Sequence, residues 1–270
     1  MIDIKKVSFS YEDGTRALKN INLHINKGEK VAFLGGNGSG KSTLFLCLNG
    51  ILKPQSGMIS YHGKAVDYSR KGLLNLRSKV GIVFQDPDNQ LFSSSVYQEI
   101  SFGILNLGVD EKTARDKVEY IMEELEITPY KDRPTHILSG GQKKQVALAD
   151  ILVMEPEVLI MDEPASALDP KHTQMLYETL NKLQSKGIIL IVSTHDVDFA
   201  LEWADRVVVF KDGEIAGIGD PEEIFMNQKL LERCNLIGPK VIHLFHRLVE
   251  QGILEKGLKV PRNLEMLEDY

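Results

Sequence analysis

The run Val31-Ala32-Phe33-Leu34 passes directly into Gly35-Gly36-Asn37-Gly38-Ser39-Gly40-Lys41-Ser42-Thr43, and no other stretch of the chain restricts the fold as much. Four consecutive apolar residues read as a strand buried on both faces, a property of parallel sheets covered by helices. The loop that follows satisfies GxxxxGK[ST]. Its glycines let successive backbone N–H groups turn inward around phosphate oxygens, where Cβ atoms would crowd, and the helix that follows directs its positive end at the same anion. Lys41 can then reach the β- and γ-phosphates and Ser42 can ligate Mg²⁺, with Gly36, Asn37, Gly38, Ser39, Gly40 and Thr43 completing the cradle. A chance match arises roughly once in a hundred sequences of this length and glycine content, before the strand-loop-helix context is demanded.

Similar apolar runs recur at Ile82-Val83-Phe84, Val158-Leu159-Ile160-Met161, Ile188 to Val192 and Val207 to Phe210. Helical patterns separate several of them, which predicts an α/β fold with a mostly parallel sheet covered by helices. Lys112 to Glu124 carries Ala114, Val118, Ile121 and Leu125 along one face. Asp169-Pro170 starts a helix with Leu176, Leu180 and Leu183 as its apolar stripe and Gly187 as its stop. Near the start, Ile2-Ile4, Val7-Phe9 and Ile21-Leu23-Ile25 read as short strands with a turn at Asp13-Gly14. From Asp220 the sheet signal ends. Asp220-Pro221-Glu222-Glu223 repeats a helix start, with Glu223 three residues after the cap, and helical stretches follow at Ile224 to Asn235 and Val241 to Gln251. Residues 1–219 are therefore expected as the main domain and 220–270 as a helical appendage too poor in apolar residues to fold alone.

The chain has 270 residues, a formal net charge of -6 and a pI of about 5.7, which gives no global attraction for nucleic acid. No apolar run approaches the roughly 20 residues that cross a bilayer. MIDIKKVSFSY reads as a strand without a signal-peptide core, so membrane association is expected to run through another protein. Cys47 and Cys234 are too few for a disulfide framework or a cysteine-rich zinc site and suit a reduced, cytosolic setting. Cys47, three residues after Leu44 on a predicted helix, is read as a packing residue.

Val158-Leu159-Ile160-Met161 ends in Asp162-Glu163. Carboxylates at the end of a buried strand are costly unless a cation or a hydrogen-bonded water network receives them. Asp162 is the candidate for holding Mg²⁺, commonly through water, and Glu163 for polarising an attacking water. Alone, such a pair is as often a solvated turn; the phosphate loop upstream favours the chemical reading.

Leu138-Ser139-Gly140-Gly141-Gln142 lies 20 positions ahead of Val158. Ser139 and its two glycines can form a second anion-holding loop at a helix start. The stretch matches the LSGGQ signature, and with the two features above the chain resembles the ABC (ATP-binding cassette) ATPases. The resemblance implies a P-loop ABC core with an N-terminal antiparallel β subdomain, a helical subdomain inserted at roughly 90–155, and ATP with Mg²⁺ as cofactors. It also implies a head-to-tail dimer, with itself or a related ATPase, in which Ser139, Gly140, Gly141 and Gln142 of one chain face the nucleotide held by the other. Gln85 resembles the Q-loop glutamine that touches Mg²⁺ and water, and Ser166-Ala167-Leu168-Asp169 the D-loop. His195, after Ile191-Val192-Ser193-Thr194, resembles the switch histidine at the γ-phosphate. Tyr11 resembles the aromatic that stacks on adenine; a strand-end packing role is the alternative. Two positions depart from the family pattern: Gly36 stands where proline is usual, and Gln145 where arginine is frequent.

Gln85-Asp86-Pro87-Asp88-Asn89-Gln90-Leu91-Phe92 is similar to the extended FQDPDNQLF stretch of energy-coupling factor transporters, and Met154-Glu155-Pro156-Glu157 and the helical tail are similar too. That resemblance implies an ATPase on the cytoplasmic face of the cell membrane, working with a transmembrane scaffold subunit and a membrane substrate-binding subunit. Its C-terminal helices would help hold two ATPases together, and cobalt ions are the implied cargo, with vitamins as the alternative. A soluble ABC ATPase acting on nucleic acid or the ribosome is the competing class. Against it, only 53 positions separate Gln85 from Leu138, without the heptads of a long coiled coil, and there is a single phosphate loop. No direct nucleic-acid binding is expected.

Overall fold

The computed structural model describes every residue except Ala167. The chain divides into two compact units, one of Met1–Leu44, Pro54–Gly63 and Ile191–Tyr270, the other of Phe45–Lys53 and Lys64–Leu190.

In the first unit Ile2–Ser10 pairs antiparallel with Arg16–Ile25 and with Ser56–Tyr61, placing Ile2 opposite both Ile25 and Tyr61, and Ile4 opposite both Leu23 and Ile59. Alternation in the sequence becomes alternation of faces: Ile2, Ile4, Val7, Ile21, Leu23 and Ile25 are buried. The expected turn forms with Asp13 accepting from the Thr15 amide. Lys30–Leu34 pairs in parallel with Arg206–Lys211, Phe33 opposite Val208, and Arg206–Lys211 pairs antiparallel with Glu214–Gly219. Phe33 and Phe210 are fully buried with ring centroids 5.7 Å apart, as expected for strands covered on both faces.

The tail belongs to this unit and departs in detail from the sequence reading. Pro221–Met226 begins at Asp220, but the Asp220 carboxylate makes no capping bond. The stretch expected as one helix is two, because Asn227 leaves helical geometry (φ -85, ψ 81) and its side chain caps Gln228–Arg233 through the Leu230 amide. Lys240–Glu250 follows, its buried face formed by Val241, Ile242 and Phe245.

In the second unit Val80–Val83 pairs in parallel with Val158–Asp162, Ile82 opposite Ile160. Between these strands the chain is helical: Val96–Asn106, Glu111–Glu124 and Gly140–Leu152. Asp110 caps Glu111–Glu124 through the Thr113 amide, and Ala114, Val118 and Ile121 are buried as the spacing predicts. Asp169 caps Pro170–Ser185 through the His172 amide; Leu180 and Leu183 are buried, whereas Leu176 lines a cavity of about 340 Å³. Cys47 is fully buried on Lys41–Leu48, and burial pushes its thiol up to about 12, which suits packing rather than chemistry. Among the described residues no helix is long and apolar enough to cross a membrane.

Candidate functional site

The residues singled out from the sequence fall into two groups, one in each unit. The first contains the glycine loop, Tyr11 and His195.

Lys30–Leu34 ends where the backbone must take conformations closed to other residues. Gly35 has φ 143, and a Cβ there would lie 2.3 Å from the Phe210 carbonyl oxygen; Gly40 has φ 110, and a Cβ would lie 2.5 Å from the Ala17 carbonyl oxygen. Gly36 is different: a Cβ there would meet nothing within 4 Å, so the fold does not require glycine where the resembling family has proline. Lys41, only 6% exposed, donates to the Gly35 and Gly36 carbonyls at 2.7 and 3.2 Å, which keeps its ammonium over the rim of the loop. The Ser39 hydroxyl is buried without a hydrogen-bond partner. Such a group costs about 1–3 kcal/mol until something accepts its hydrogen. An unsatisfied hydroxyl, an ammonium and the N-terminus of Lys41–Leu48 together suit an oxyanion, so the donor set fits a nucleotide phosphate.

Thr43 lies on the first turn of that helix, and its Oγ1 is 3.0 Å from the Tyr11 hydroxyl. The Tyr11 ring stands edge-on to Phe9 at 5.1 Å and remains 41% exposed. It is thus both a packing aromatic and an available face. The Thr194 amide donates to Phe33, and Asp196 caps Val197–Trp203 through the Phe199 amide; His195, exposed between these two anchors, is fixed at the backbone on both sides.

The second group holds Gln85, the signature and the acid pair. Ser139 caps Gly140–Leu152 and forms a reciprocal box: its Oγ accepts from the Gln142 amide at 3.3 Å, and Gln142 Oε1 accepts from the Ser139 amide at 3.0 Å. The Ser139 hydroxyl therefore keeps its own hydrogen to donate, while the Gln142 carbonyl is committed. A Cβ at Gly140 would meet nothing, and one at Gly141 only ordinary contacts with Leu168 and His172. Neither glycine is demanded by packing within its own chain, so the signature backbone stays open to something outside it.

Val158–Asp162 delivers Asp162 at its last residue, and Glu163 follows in the left-handed region at φ 48, a strained conformation for glutamate. Ser166 N–H closes this turn on the Glu163 carbonyl. Of the D-loop stretch, Ala167 lies outside the described residues. Lys144 donates to the backbone oxygens of Glu163 (3.4 Å), Pro164 (3.0 Å) and Ser166, and to Ser166 Oγ (2.9 Å). Gln145, at the position of the missing arginine, accepts from the Tyr130 hydroxyl at 2.9 Å.

Gln85 is exposed one residue beyond Phe84, and the segment after it is tied down residue by residue. Asp86 caps the short turn Pro87–Asn89, and Asp88 pairs with Lys143 at 2.5 Å. Gln90 accepts from the Phe84 amide (3.4 Å) and donates to Ala147 O (3.0 Å) and Asp150 Oδ2 (3.3 Å). Glu99, 1% exposed, accepts from the amides of Phe92 (2.9 Å) and Ser93 (2.6 Å). Asp150 is pushed up to about 7 by burial, with the Gln90 bond opposing and the Glu99 charge adding to the rise.

Sequence reading did not single out Lys144, Glu99 or Asp150. Glu99 carried a signal: it stands three residues after Val96 and one before Ile100, on the stripe that buries Val96–Asn106. A carboxylate on such a stripe needs partners, and here they are the amides of the preceding loop.

A family model described as ABC transporter matches residues 18–166. The energy-coupling factor transporter ATP-binding protein EcfA3 of Clostridium perfringens is 48% identical over 252 residues, covering 93% of this chain and 88% of that one. A putative ABC transporter ATP-binding protein of Methanothermobacter marburgensis is 44% identical over 261 residues, covering 97% and 94%. Among solved structures, cbiO1 from Clostridium perfringens, described as part of the ABC transporter complex cbiONQ, shares 48% identity at a TM-score of 0.76, covering 91% of this chain and 98% of its own. A dimeric ATP-binding cassette in a post-hydrolysis state with ADP and Pi shares 28% identity at a TM-score of 0.76, covering 82% and 99%.

Proposed function

The chain belongs to the ABC transporter family as an ATP-hydrolysing subunit of the energy-coupling factor type, and from that premise we propose which residues perform the hydrolysis and what it drives. Gly36 to Thr43 hold the phosphates, with Lys41 offsetting charge on the β- and γ-phosphates and Tyr11 offering its exposed face to adenine. Ser42, Asp162 and Gln85 would hold Mg²⁺, which would supply charge neutralisation to the phosphates. Glu163 polarises the attacking water, and His195 and Gln85 help hold it in line. Ser139, Gly140, Gly141 and Gln142 receive the γ-phosphate held by a partner ATPase, itself or a related chain, in a head-to-tail dimer. The observation that carries this reading is the pairing of a buried, unsatisfied Ser39 hydroxyl with the Lys41 ammonium at a loop whose Gly35 and Gly40 admit no side chain.

The dimer works on the cytoplasmic face of the membrane beneath a transmembrane scaffold and a substrate-binding subunit, with cobalt ions as cargo. The exposed, edge-stacked pair Phe92 and Phe102, 5.0 Å apart on the helical subdomain of roughly 90–155, is an apolar surface suited to the scaffold. The helices of 220–270 strengthen the ATPase pair. The core test is Glu163→Gln in the full-length chain: steady-state ATP hydrolysis should fall by about a hundredfold or more while ATP affinity stays. Undiminished hydrolysis would remove Glu163 from the mechanism. For the cargo, ATP-driven uptake in vesicles carrying the assembled complex should follow radiolabelled cobalt; uptake of a vitamin instead would reassign it.

A further inference from the structure

We propose that Lys144 is a positioning residue for hydrolysis: its ammonium ties the loop Glu163 to Ser166 to the helix Gly140–Leu152 and so fixes the backbone from which Glu163 acts. The inference deepens the reading of Glu163 as the water-polarising group and rests on it. Four oxygens from three residues of one turn surround an ammonium with three hydrogens, so its bonding capacity is spent on this loop. Three of the four are backbone carbonyls, including that of Glu163 itself. What Lys144 holds is therefore the path of the chain, not one rotamer.

Packing holds that path on one side only, where Pro164 is buried. Pro164 and Leu168 line the cavity of about 340 Å³ together with Lys144, Met161, Met175 and Leu176, so one side of the loop faces open volume. Glu163 is also in the left-handed region, which the surroundings must enforce if it is to persist. Burial lowers the Lys144 pKa, while the Glu163 and Asp86 charges oppose that fall. Gln145 is bonded to Tyr130 and offers this loop no charge. Lys144 stands two residues after Gln142, so a single side chain connects the signature to the acid-bearing turn.

The test uses the full-length chain, measuring ATP hydrolysis and amide hydrogen exchange in parallel. In Lys144→Met, kcat should fall about tenfold or more with KM for ATP within about threefold, because the residue touches no nucleotide in this reading. Exchange should accelerate in residues 162–168 and stay unchanged in 111–124. Lys144→Arg, which keeps charge and several donors, should recover about a third of kcat or more. If Lys144→Met fails to fold, Lys144→Gln is held to the same criteria. A kcat within about twofold of the native chain overturns the proposal, as does an Arg variant no better than Met. Glu163→Gln, run alongside, separates the two claims. If it still hydrolyses ATP, the site reading falls; if it is inactive while Lys144→Met runs at full rate, only the lysine proposal falls.

Discussion

The phosphate loop and the acid-bearing turn, to which the proposed mechanism gives different tasks, are held in opposite ways. Gly35 to Lys41 is fixed by exclusion: buried strands lie beside it, and carbonyl oxygens stand 2.3 and 2.5 Å from where side chains would begin. Glu163 to Ser166 and the segment Asp86 to Ser93 are fixed by attachment, through Lys144, Gln90, Glu99 and Asp150, with a cavity beside the acid-bearing turn. Steric exclusion tolerates changes of charge and no change of shape. Attachment through a few polar groups is sensitive to charge and solvent, and lets a segment shift when one bond is lost. In the proposed mechanism an anion cradle gains from the first kind of construction, and a turn that carries the water-polarising acid gains from the second.

The largest expected effect breaks the first side of this comparison. Gly40→Ala forces a Cβ against the Ala17 carbonyl at an already positive φ, and should destabilise the chain by about 3 kcal/mol or more while abolishing measurable ATP binding. Gly36→Ala, in the same loop, meets nothing and should stay within about 0.5 kcal/mol of the native chain. Urea denaturation and calorimetric ATP titration give both numbers. Equal stability of the two variants would show that the loop is not held by exclusion.

A smaller effect tests attachment. Glu99→Ala leaves the Phe92 and Ser93 amides without their acceptor and should cost about 2–3 kcal/mol, with faster amide exchange concentrated in residues 86–93. Loss spread evenly over both units would mean that Glu99 supports the core and not the segment.

The same difference explains what could be read from the sequence. Exclusion leaves a local signature, because glycines at Gly35 and Gly40 are required where they stand, and the apolar runs beside them mark their strands. The α/β fold with its N-terminal antiparallel strands, mostly parallel pairing and inserted helices was legible for that reason, as was the family. Attachment leaves little trace. Lys144 is 22 residues from Ser166 and Gln90 is 60 from Asp150, and nothing in the spacing says that they meet. The split of the first tail helix at Asn227 was missed because asparagine inside an otherwise helical pattern is an ordinary surface residue unless its side chain turns back to cap, which only the fold decides.

The smallest effect is the one most specific to attachment, because it needs no change of shape. Asp150 ionises near 3.8 in an unfolded chain and at about 7 in the folded one, burial being the main cause. The folded state therefore holds a proton that the unfolded state has released. The resulting stabilisation is complete below pH 3.8 and is lost as pH rises through 7. Between pH 6 and pH 8 the loss should be about 1.4 kcal/mol, the unfolded chain gaining over two full units and the folded chain recovering about half of that. Asp150→Asn is neutral throughout, so stability of the native chain relative to this variant should fall by that amount over the same range, measured by urea denaturation at the two pH values. Gln90 faces the carboxyl as a donor and Glu99 as a like charge, so pairing Asp150→Asn with Glu99→Gln should lessen the pH effect attributed to residue 150 in the single variant. A pH-independent difference between native chain and Asn variant would mean that Asp150 is ionised in the folded state, and that the segment Asp86 to Ser93 is held by a charge and not by a proton-bearing carboxyl.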